Sequence, residues 1–420
     1  MSTVEYPQLS DFARFSALSL EECGRMFADL RAHRPVAFFP EPEVPFLERG
    51  PGYYAVTRYD DVVAVSRKPR VFRSGQGATR IPDMPEEFRE FFGSMINMDD
   101  PRHARLRRIV SRGFTPRRLA ALHADIERTA TEIVDDVIAR GGECEVVTDI
   151  AAKLPLTIIC NLMGIPVSEH RFVFDRSNIL LGAQDPEYVP PGTDLLAAVL
   201  GAATELIGLV KELGAARAAD PTDDLISALV NAEIDGERLT LDELGPFFIL
   251  LVVAGNETTR NAISWGVHLL SEHPDQRAAW AADVEGLTRT AVEEIVRWAS
   301  PVIFMRRTLA VPARVGDVEL DEGAKVVLFY WSANRDEAHF TDPEAFDLRR
   351  DPNPHVGFGG PGPHFCLGAH LARAEIGVMF AELLRRIPDL RTTAEPRRLQ
   401  SMFINGVKHL PAVFTPAGPS

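Results

Sequence analysis

Apolar residues in this chain recur mostly at spacings of three and four, the period of a helix that packs one face against a core. Leu20, Cys23, Phe27 and Leu30 form such a stripe after Ser19-Leu20-Glu21-Glu22, a capping-box start. Leu119, Leu122, Ile126, Ala130, Ile133 and Val137 form another, opened by Thr115-Pro116 and ended by Gly141-Gly142. Helices are also predicted over 60–67, from Asp100-Pro101, at roughly 149–163, 166–181, 193–219 and 222–232 (closing in an Asp235-Gly236 turn), and over 290–299. A second capping box, Thr240-Leu241-Asp242-Glu243, starts a helix predicted to reach about Ser271. Short strands are predicted at 36–39, 53–57, near 314–320 and at 325–330, and a hairpin turn at Asn405-Gly406. The pattern predicts a mainly α fold with small β-sheets. Without internal repeats or a low-complexity linker, it reads as a single domain over residues 1–420.

Four stretches depart from this pattern. Pro352–Gly368 reads PNPHVGFGGPGPHFCLG, too rich in Pro and Gly for a helix or central strand, so it is a shaped loop. The helix after it carries Leu367, Leu371, Ala374 and Val378 on one face. Cys366 therefore sits at a loop-to-helix junction, where backbone N–H groups and the helix dipole favour a thiolate. It is a nucleophile, a metal ligand, a redox sensor or a buried structural cysteine. The long helix beginning near Thr240 is apolar nearly all round in its first half, as befits a helix through the centre of a large protein. Its middle then holds Ala254, Gly255, Asn256, Glu257, Thr258 and Thr259. Thr258 is placed to bond back to the Ala254 carbonyl, leaving room beside Ala254 and Gly255. Glu257 and Thr258 form an acid–alcohol pair, a proton relay or simply a satisfied polar cluster in a kinked helix.

The other two departures are a loop and a basic helix. Residues 73–98 read as irregular, yet carry Phe88, Phe91, Phe92, Met95, Ile96 and Met98, as a ligand lid or a packed surface loop would. The stretch PRHARLRRIVSR holds Arg102, Arg105, Arg107, Arg108 and Arg112 with His103 and no acid, and Arg117 and Arg118 follow. His103 and Arg107, four apart, share a face suited to a ligand's carboxylates. Glu294 and Arg297, three apart, can pair on one helix face.

Composition narrows the class. A net charge of −15 argues against a general nucleic-acid binder, and makes the basic helix stand out. Cys23, Cys144, Cys160 and Cys366 have no CxxC spacing, which disfavours a zinc ribbon or disulfide framework and suits a reducing compartment. The N-terminus lacks a signal pattern and no run of 18 or more apolar residues occurs, so a cytoplasmic protein without a transmembrane segment is expected.

Each signal is modest alone, but their order is specific. AGNETT in a long helix, then the Glu294/Arg297 ExxR, then GFGGPGPHFCLG, resembles the cytochrome P450 superfamily over 60–387. NMDDPRHARLRRIV and GFGGPGPHFCLGAHLAR look like its soluble bacterial members. The resemblance implies haem b between the long helix and the cysteine helix, with Cys366 as the axial thiolate on the iron. It places Phe358 beside the sulfur, lets Gly368 admit the porphyrin closely, and sets Ala254 and Gly255 beside the oxygen site. His103, Arg107, Arg307 and His364 fall where the family grips the haem propionates, with Arg306 a rival to Arg307. Glu257 and Thr258 match the family's proton-delivery pair. Glu294 and Arg297, with Arg350, match its structural triad.

Substrate contacts are expected at Met95, Ile96, Leu250, Val253, Ala254, Val302, Ile303, Phe304 and Phe403, with further contacts over 172–200. Their apolar character suits a sterol, terpenoid or branched fatty-acyl lipid. The chain is expected to be a monomeric monooxygenase using O2 and electrons from NAD(P)H through a separate ferredoxin and ferredoxin reductase, since no GxGxxG follows a strand. The ferredoxin would dock near Arg105, Arg108 and Arg112. A peroxide-driven peroxygenase and a non-catalytic haem sensor or carrier are the alternatives. Phe358 stands eight residues before Cys366, one more than in most members, as in an actinobacterial-type subset that oxidises sterol side chains, branched lipids or terpenoids.

Overall fold

The fold is organised around one helix, Leu241–Glu272. Its first turn is closed reciprocally: Glu243 N donates to Thr240 Oγ1 and Thr240 N to Glu243 Oε2, each at 3.1 Å. At 32 residues it is about 48 Å long. Helices Leu195–Ala219, Lys153–Met163, Val284–Ala299 and Ala369–Arg386 pack around it, which explains why it is apolar on nearly every side. The computed structural model describes residues 6–44, 47–111, 116–231 and 239–415, without the side chains of Glu90 and 116–120. The predicted Asp235-Gly236 turn lies outside the described residues.

A five-stranded sheet flanks the helical body in the order Val36–Phe39, Tyr53–Val56, Lys325–Phe329, Phe304–Leu309, Phe72–Arg73. Arg306 pairs with Val327 and Arg307 with Val326, so the two adjacent arginines leave opposite faces of the sheet. Among the described residues one window, Val146–Met163, is apolar and long enough to cross a bilayer, and it is mostly buried inside the fold.

Several sequence expectations are adjusted. The helix predicted from Thr290 starts at Val284, because Asp283 accepts from Gly286 N at 2.9 Å and caps it earlier. Residues 73–98 contain a helix, Glu86–Phe91, and a 3-10 turn, Met95–Asn97. Asn405-Gly406 is not a hairpin turn. The pairing is between Arg397–Arg398 and Val407–His409, closed by the longer 399–406 loop. Asn405 is instead a buried connector, its Nδ2 donating to Ala299 O at 2.7 Å and its carbonyl accepting from Trp265 Nε1 at 2.9 Å.

Two adjacent acids on Val284–Ala299 hold the chain that leads to Cys366. Glu294 and Arg297 are both 0% exposed and form a two-bond pair, each bond 2.7 Å. Arg297 also donates to the carbonyls of Asn334, Pro343 and Ala345. Glu294 accepts from Arg350 Nε, Asp347 N and Asn353 Nδ2 at 3.0–3.2 Å. Every strong acceptor and donor of the pair is used, which offsets the cost of burying it in the core. Glu293 accepts from His355 Nε2 at 2.8 Å and from Arg373 Nη2 at 3.0 Å. The Arg373 guanidinium in turn lies 4.3 Å over the Phe358 ring.

Removing one partner of the buried pair should cost about 3–5 kcal/mol, because the other charge stays behind unpaired. Glu294→Gln should therefore lower the unfolding midpoint strongly; a midpoint within a degree of the wild type would contradict this. Glu293 gives a pH signature. Although burial opposes it, hydrogen bonds and charge from His355 and Arg373 bring its carboxyl from the ordinary 4.5 down to about 2. A depressed folded-state value adds stability above pH 4.5 that is lost as pH falls toward about 2. Unfolding curves collected from pH 6 to pH 3 should fall less steeply for Glu293→Gln than for the wild type, whereas parallel curves would refute the link.

Candidate functional site

The cysteine loop is shaped by close approach to the helix Tyr59–Ser66. A Cβ on Gly362, at φ +151°, would lie 2.5 Å from the Ser66 carbonyl oxygen, and one on Gly360 2.5 Å from Ser66 Oγ. Cys366 N donates to Phe358 O at 2.9 Å, so the eight-residue spacing still closes into a hydrogen-bonded loop. Arg107 Nη2 donates to Phe365 O at 2.7 Å and ties the basic helix Arg102–Ser111 to the residue before the cysteine. The Gly368 N–H, Arg107 and Arg373 all pull the Cys366 thiol pKa down, but burial outweighs them and the net shift is upward. This corrects the expectation that the junction alone favours a thiolate: desolvation wins, and the ionised form needs a bound cation. Cys366 nevertheless keeps accessible surface.

The middle of the central helix also keeps open surface. Ala254 is exposed although most of the helix is buried, and Thr258 Oγ1 donates to Ala254 O at 2.6 Å. Glu257, 2% exposed, points elsewhere. It is paired with Arg260 and accepts from Asn261 Nδ2 at 3.1 Å, while Arg260 donates to Asn178 Oδ1 at 3.0 Å. Among the described residues no hydrogen bond joins Glu257 to Thr258, as expected for adjacent helix positions. Sequence reading missed Glu375, fully enclosed where the cysteine helix meets Thr259. Burial pushes its carboxyl up to about 8 against a hydrogen bond with Thr259. Its position four residues after Leu371, on the apolar side of that helix, was the available signal.

Two arginines and two histidines converge nearby. The His103 and His364 rings lie 4.3 Å apart. Burial, then Arg307, His103 and Arg107, push His364 down to about 3. His103 is lowered by burial and by Arg107, with Asp100 3.5 Å from its Nδ1. Arg107 and Arg307 have no ion pair among the described residues, their hydrogen bonds going to the carbonyls of Phe365 and Arg306. Arg306 is occupied on the opposite face, by Ile81 O at 2.9 Å and Asp83 Oδ1 at 2.5 Å. Of the two arginines, Arg307 is the one brought to the cluster.

The remaining expected residues divide. Ile96, Leu250, Val253, Val302 and Phe403 keep partial surface. Met95 is buried, and Ile303 and Phe304, each 2% exposed, pack into the core around Phe27 and Phe329. Arg105 is not a free docking charge, since it pairs with Glu243 at 2.8 Å. Arg102 and Arg108 are exposed, and Arg112 lies outside the described residues.

The chemistry of these residues suits a haem. A thiol keeps accessible surface, Arg107 and Arg307 have no paired carboxylate among the described residues, and a Cβ added to Gly368 would meet nothing within 4 Å. The sequence model of the family Cytochrome P450 matches residues 208–388. The methyl-branched lipid omega-hydroxylase of Mycobacterium tuberculosis (strain ATCC 25618 / H37Rv) is 49% identical over 391 residues, covering 93% of this chain and 90% of that protein. The steroid C26-monooxygenase of Mycolicibacterium smegmatis is 39% identical over 424 residues, covering 100% and 96%. The structure of Mycobacterium marinum cytochrome P450 CYP268A2 in complex with pseudoionone superposes with a TM-score of 0.92 at 42% identity, covering 99% and 100% of the two chains. Sequence, fold and the chemistry around Cys366 agree, and the chain belongs to the cytochrome P450 family of haem-thiolate monooxygenases.

Proposed function

We propose that this enzyme hydroxylates a C–H bond of a branched-chain or isoprenoid lipid, with steroids as the neighbouring substrate class. The balanced reaction is R–H + O2 + two electrons + two protons → R–OH + H2O. The observation that carries the reading is the 49% identity to a methyl-branched lipid omega-hydroxylase across nearly the whole chain. The partly exposed apolar residues Ile96, Leu250, Val253, Val302 and Phe403 are in keeping with it.

Bound haem supplies the oxygen activation and electron storage that no side chain can. The protein's own residues do the rest. Cys366 would hold its iron, on a loop stiffened by the glycines against Ser66 and by the bond from Cys366 N to Phe358 O. His103, Arg107, Arg307 and His364 would hold its carboxylates. Thr258, its hydroxyl fixed by Ala254 O, orients a proton donor over the reacting face. Glu257 brings protons in from the Arg260 side, and must turn away from that guanidinium or pass the proton through water to reach Thr258. Electrons come from NAD(P)H through a ferredoxin and its reductase in the cytoplasm, with Arg102 and Arg108 as exposed charges on the docking face and the chain acting as a monomer.

Turnover with ferredoxin, reductase and NADPH should greatly exceed turnover with hydrogen peroxide alone. Product from peroxide and none from the electron-transfer system would overturn the monooxygenase reading in favour of a peroxygenase. Thr258→Ala should lower product formed per NADPH consumed, with the product rate falling on the order of 10²-fold, the usual scale of a lost proton-transfer group. Unchanged coupling would remove Thr258 from the relay.

A further inference from the structure

Asn256 takes no part in the Glu257–Thr258 pair, yet it is only 1% exposed. Both polar atoms of its amide, Oδ1 and Nδ2, are without a hydrogen-bond partner among the described residues. A buried amide left that way is costly, and a leucine would fill the position without the cost. One turn further along the same helix, Arg260 is 2% exposed and its Nε is likewise unpartnered among the described residues. The two positions are four apart, so they share a face of Leu241–Glu272. An unused acceptor and an unused donor therefore stand one helix turn from each other in the core.

The other two nitrogens of the guanidinium are engaged. Arg260 Nη1 donates to Asn178 Oδ1 at 3.0 Å, on the helix His170–Leu181, and Nη2 is paired with Glu257. Phe174, on that same neighbouring helix, has its ring centre 5.8 Å from the guanidinium carbon. Asn178 and Phe174 thus anchor Arg260 from outside its own helix. On its own helix Arg260 has two acceptors one turn back, Glu257 at i−3 and Asn256 at i−4. A pivot about the bond to Asn178 carries the guanidinium from one to the other as a side-chain motion.

We propose that Asn256 is a positioning residue that catches the Arg260 guanidinium when Glu257 lets go, and so frees Glu257 to reach Thr258. The inference rests on the monooxygenase reading and supplies the rearrangement that its proton delivery needs. When the Glu257 carboxylate takes up a proton arriving from water, its charge-assisted hold on Arg260 is lost, and Asn256 Oδ1 competes as one neutral acceptor against another. Arg260 keeps its charge, held by Asn178, Asn256 and the face of Phe174. The neutral Glu257 turns, passes its proton on through the Thr258 hydroxyl, and as a carboxylate takes Arg260 back. One proton enters and one leaves in each cycle. Without Asn256, letting go of Glu257 leaves a buried guanidinium short of an acceptor, and the exchange is disfavoured.

The test measures product formed per NADPH consumed, and the solvent deuterium effect on the product rate, in the haem-loaded enzyme with ferredoxin and its reductase. The probes are a long methyl-branched fatty acid, an isoprenoid alcohol and a steroid, and the one giving the largest spin-state shift is carried forward. Asn256→Leu and Asn256→Ala should each lower product per NADPH, with the product rate falling about tenfold and the solvent deuterium effect rising. Asn256→Asp keeps an acceptor and should retain most of the product rate. The spin-state shift and the carbon-monoxide spectrum should match the wild type. The unfolding midpoint of Asn256→Leu should be equal or higher, because a buried unpartnered amide is gone. In an Arg260→Gln background Asn256→Leu should cost nothing further, since no guanidinium is left to catch. Unchanged product per NADPH in both Asn256→Leu and Asn256→Ala overturns the proposal and leaves the monooxygenase reading standing. So does a loss from Asn256→Leu that persists in full in the Arg260→Gln background. A lowered midpoint with coupling intact makes Asn256 a structural residue only and overturns it too. No NADPH-driven product from the wild type with any probe overturns both readings.

Discussion

The buried pair of Glu294 and Arg297 is the constraint from which the rest of this enzyme follows. Two unit charges in the core are tolerable only if every donor and acceptor around them is used. Satisfying them takes the carbonyls of Asn334, Pro343 and Ala345, the N–H of Asp347, and side chains from Arg350 and Asn353. That demand dictates the path of an otherwise irregular stretch with few regular elements of its own. Glu293, one residue earlier, continues the anchoring through His355 and Arg373 to the ring of Phe358. The cysteine loop is therefore held from one helix by two adjacent carboxylates, one fully enclosed and one partly exposed.

What this scaffold presents is not a self-sufficient catalytic group. Burial raises the Cys366 pKa despite the N–H of Gly368 and two arginines, and Arg107 and Arg307 gather beside His103 and His364 with no carboxylate paired to either arginine among the described residues. A thiol that needs a cation and cations that need anions are complementary demands on one guest. A metal porphyrin with two carboxylates meets both. The acid and alcohol of the central helix are arranged differently, each already engaged: Thr258 by Ala254 O, Glu257 by Arg260 and Asn261. Proton delivery there depends on rearrangement, whereas the cysteine side is fixed.

The sequence was most informative where chemistry forces an unusual residue choice. The glycines and prolines before Cys366, the capping boxes at Ser19 and Thr240, the Thr258 back-bond and the Glu294/Arg297 spacing were all legible, because each has a local physical cause. Contacts made across the fold were not. Arg105 meets Glu243, 138 residues away, and so leaves the basic patch. Arg306 and Arg307 could be told apart only once the strand register put them on opposite faces. Ile303 and Phe304 read as substrate contacts, but their apolar surface is spent on the N-terminal core. Glu375 drew no notice, since one acid in a sequence says nothing of its depth. The Cys366 pKa lies on the other side from the helix-dipole argument, because the cost of burying a charged sulfur depends on surroundings that spacing does not reveal.

The central claim is that Cys366 is the axial ligand of a haem. It is tested most directly by the absorption spectrum of the reduced carbon-monoxide complex, recorded for the wild type and for Cys366→Ser. The wild type should show the red-shifted Soret band of a thiolate-ligated haem, and the variant should lack that band. A variant spectrum identical to that of the wild type would contradict the account.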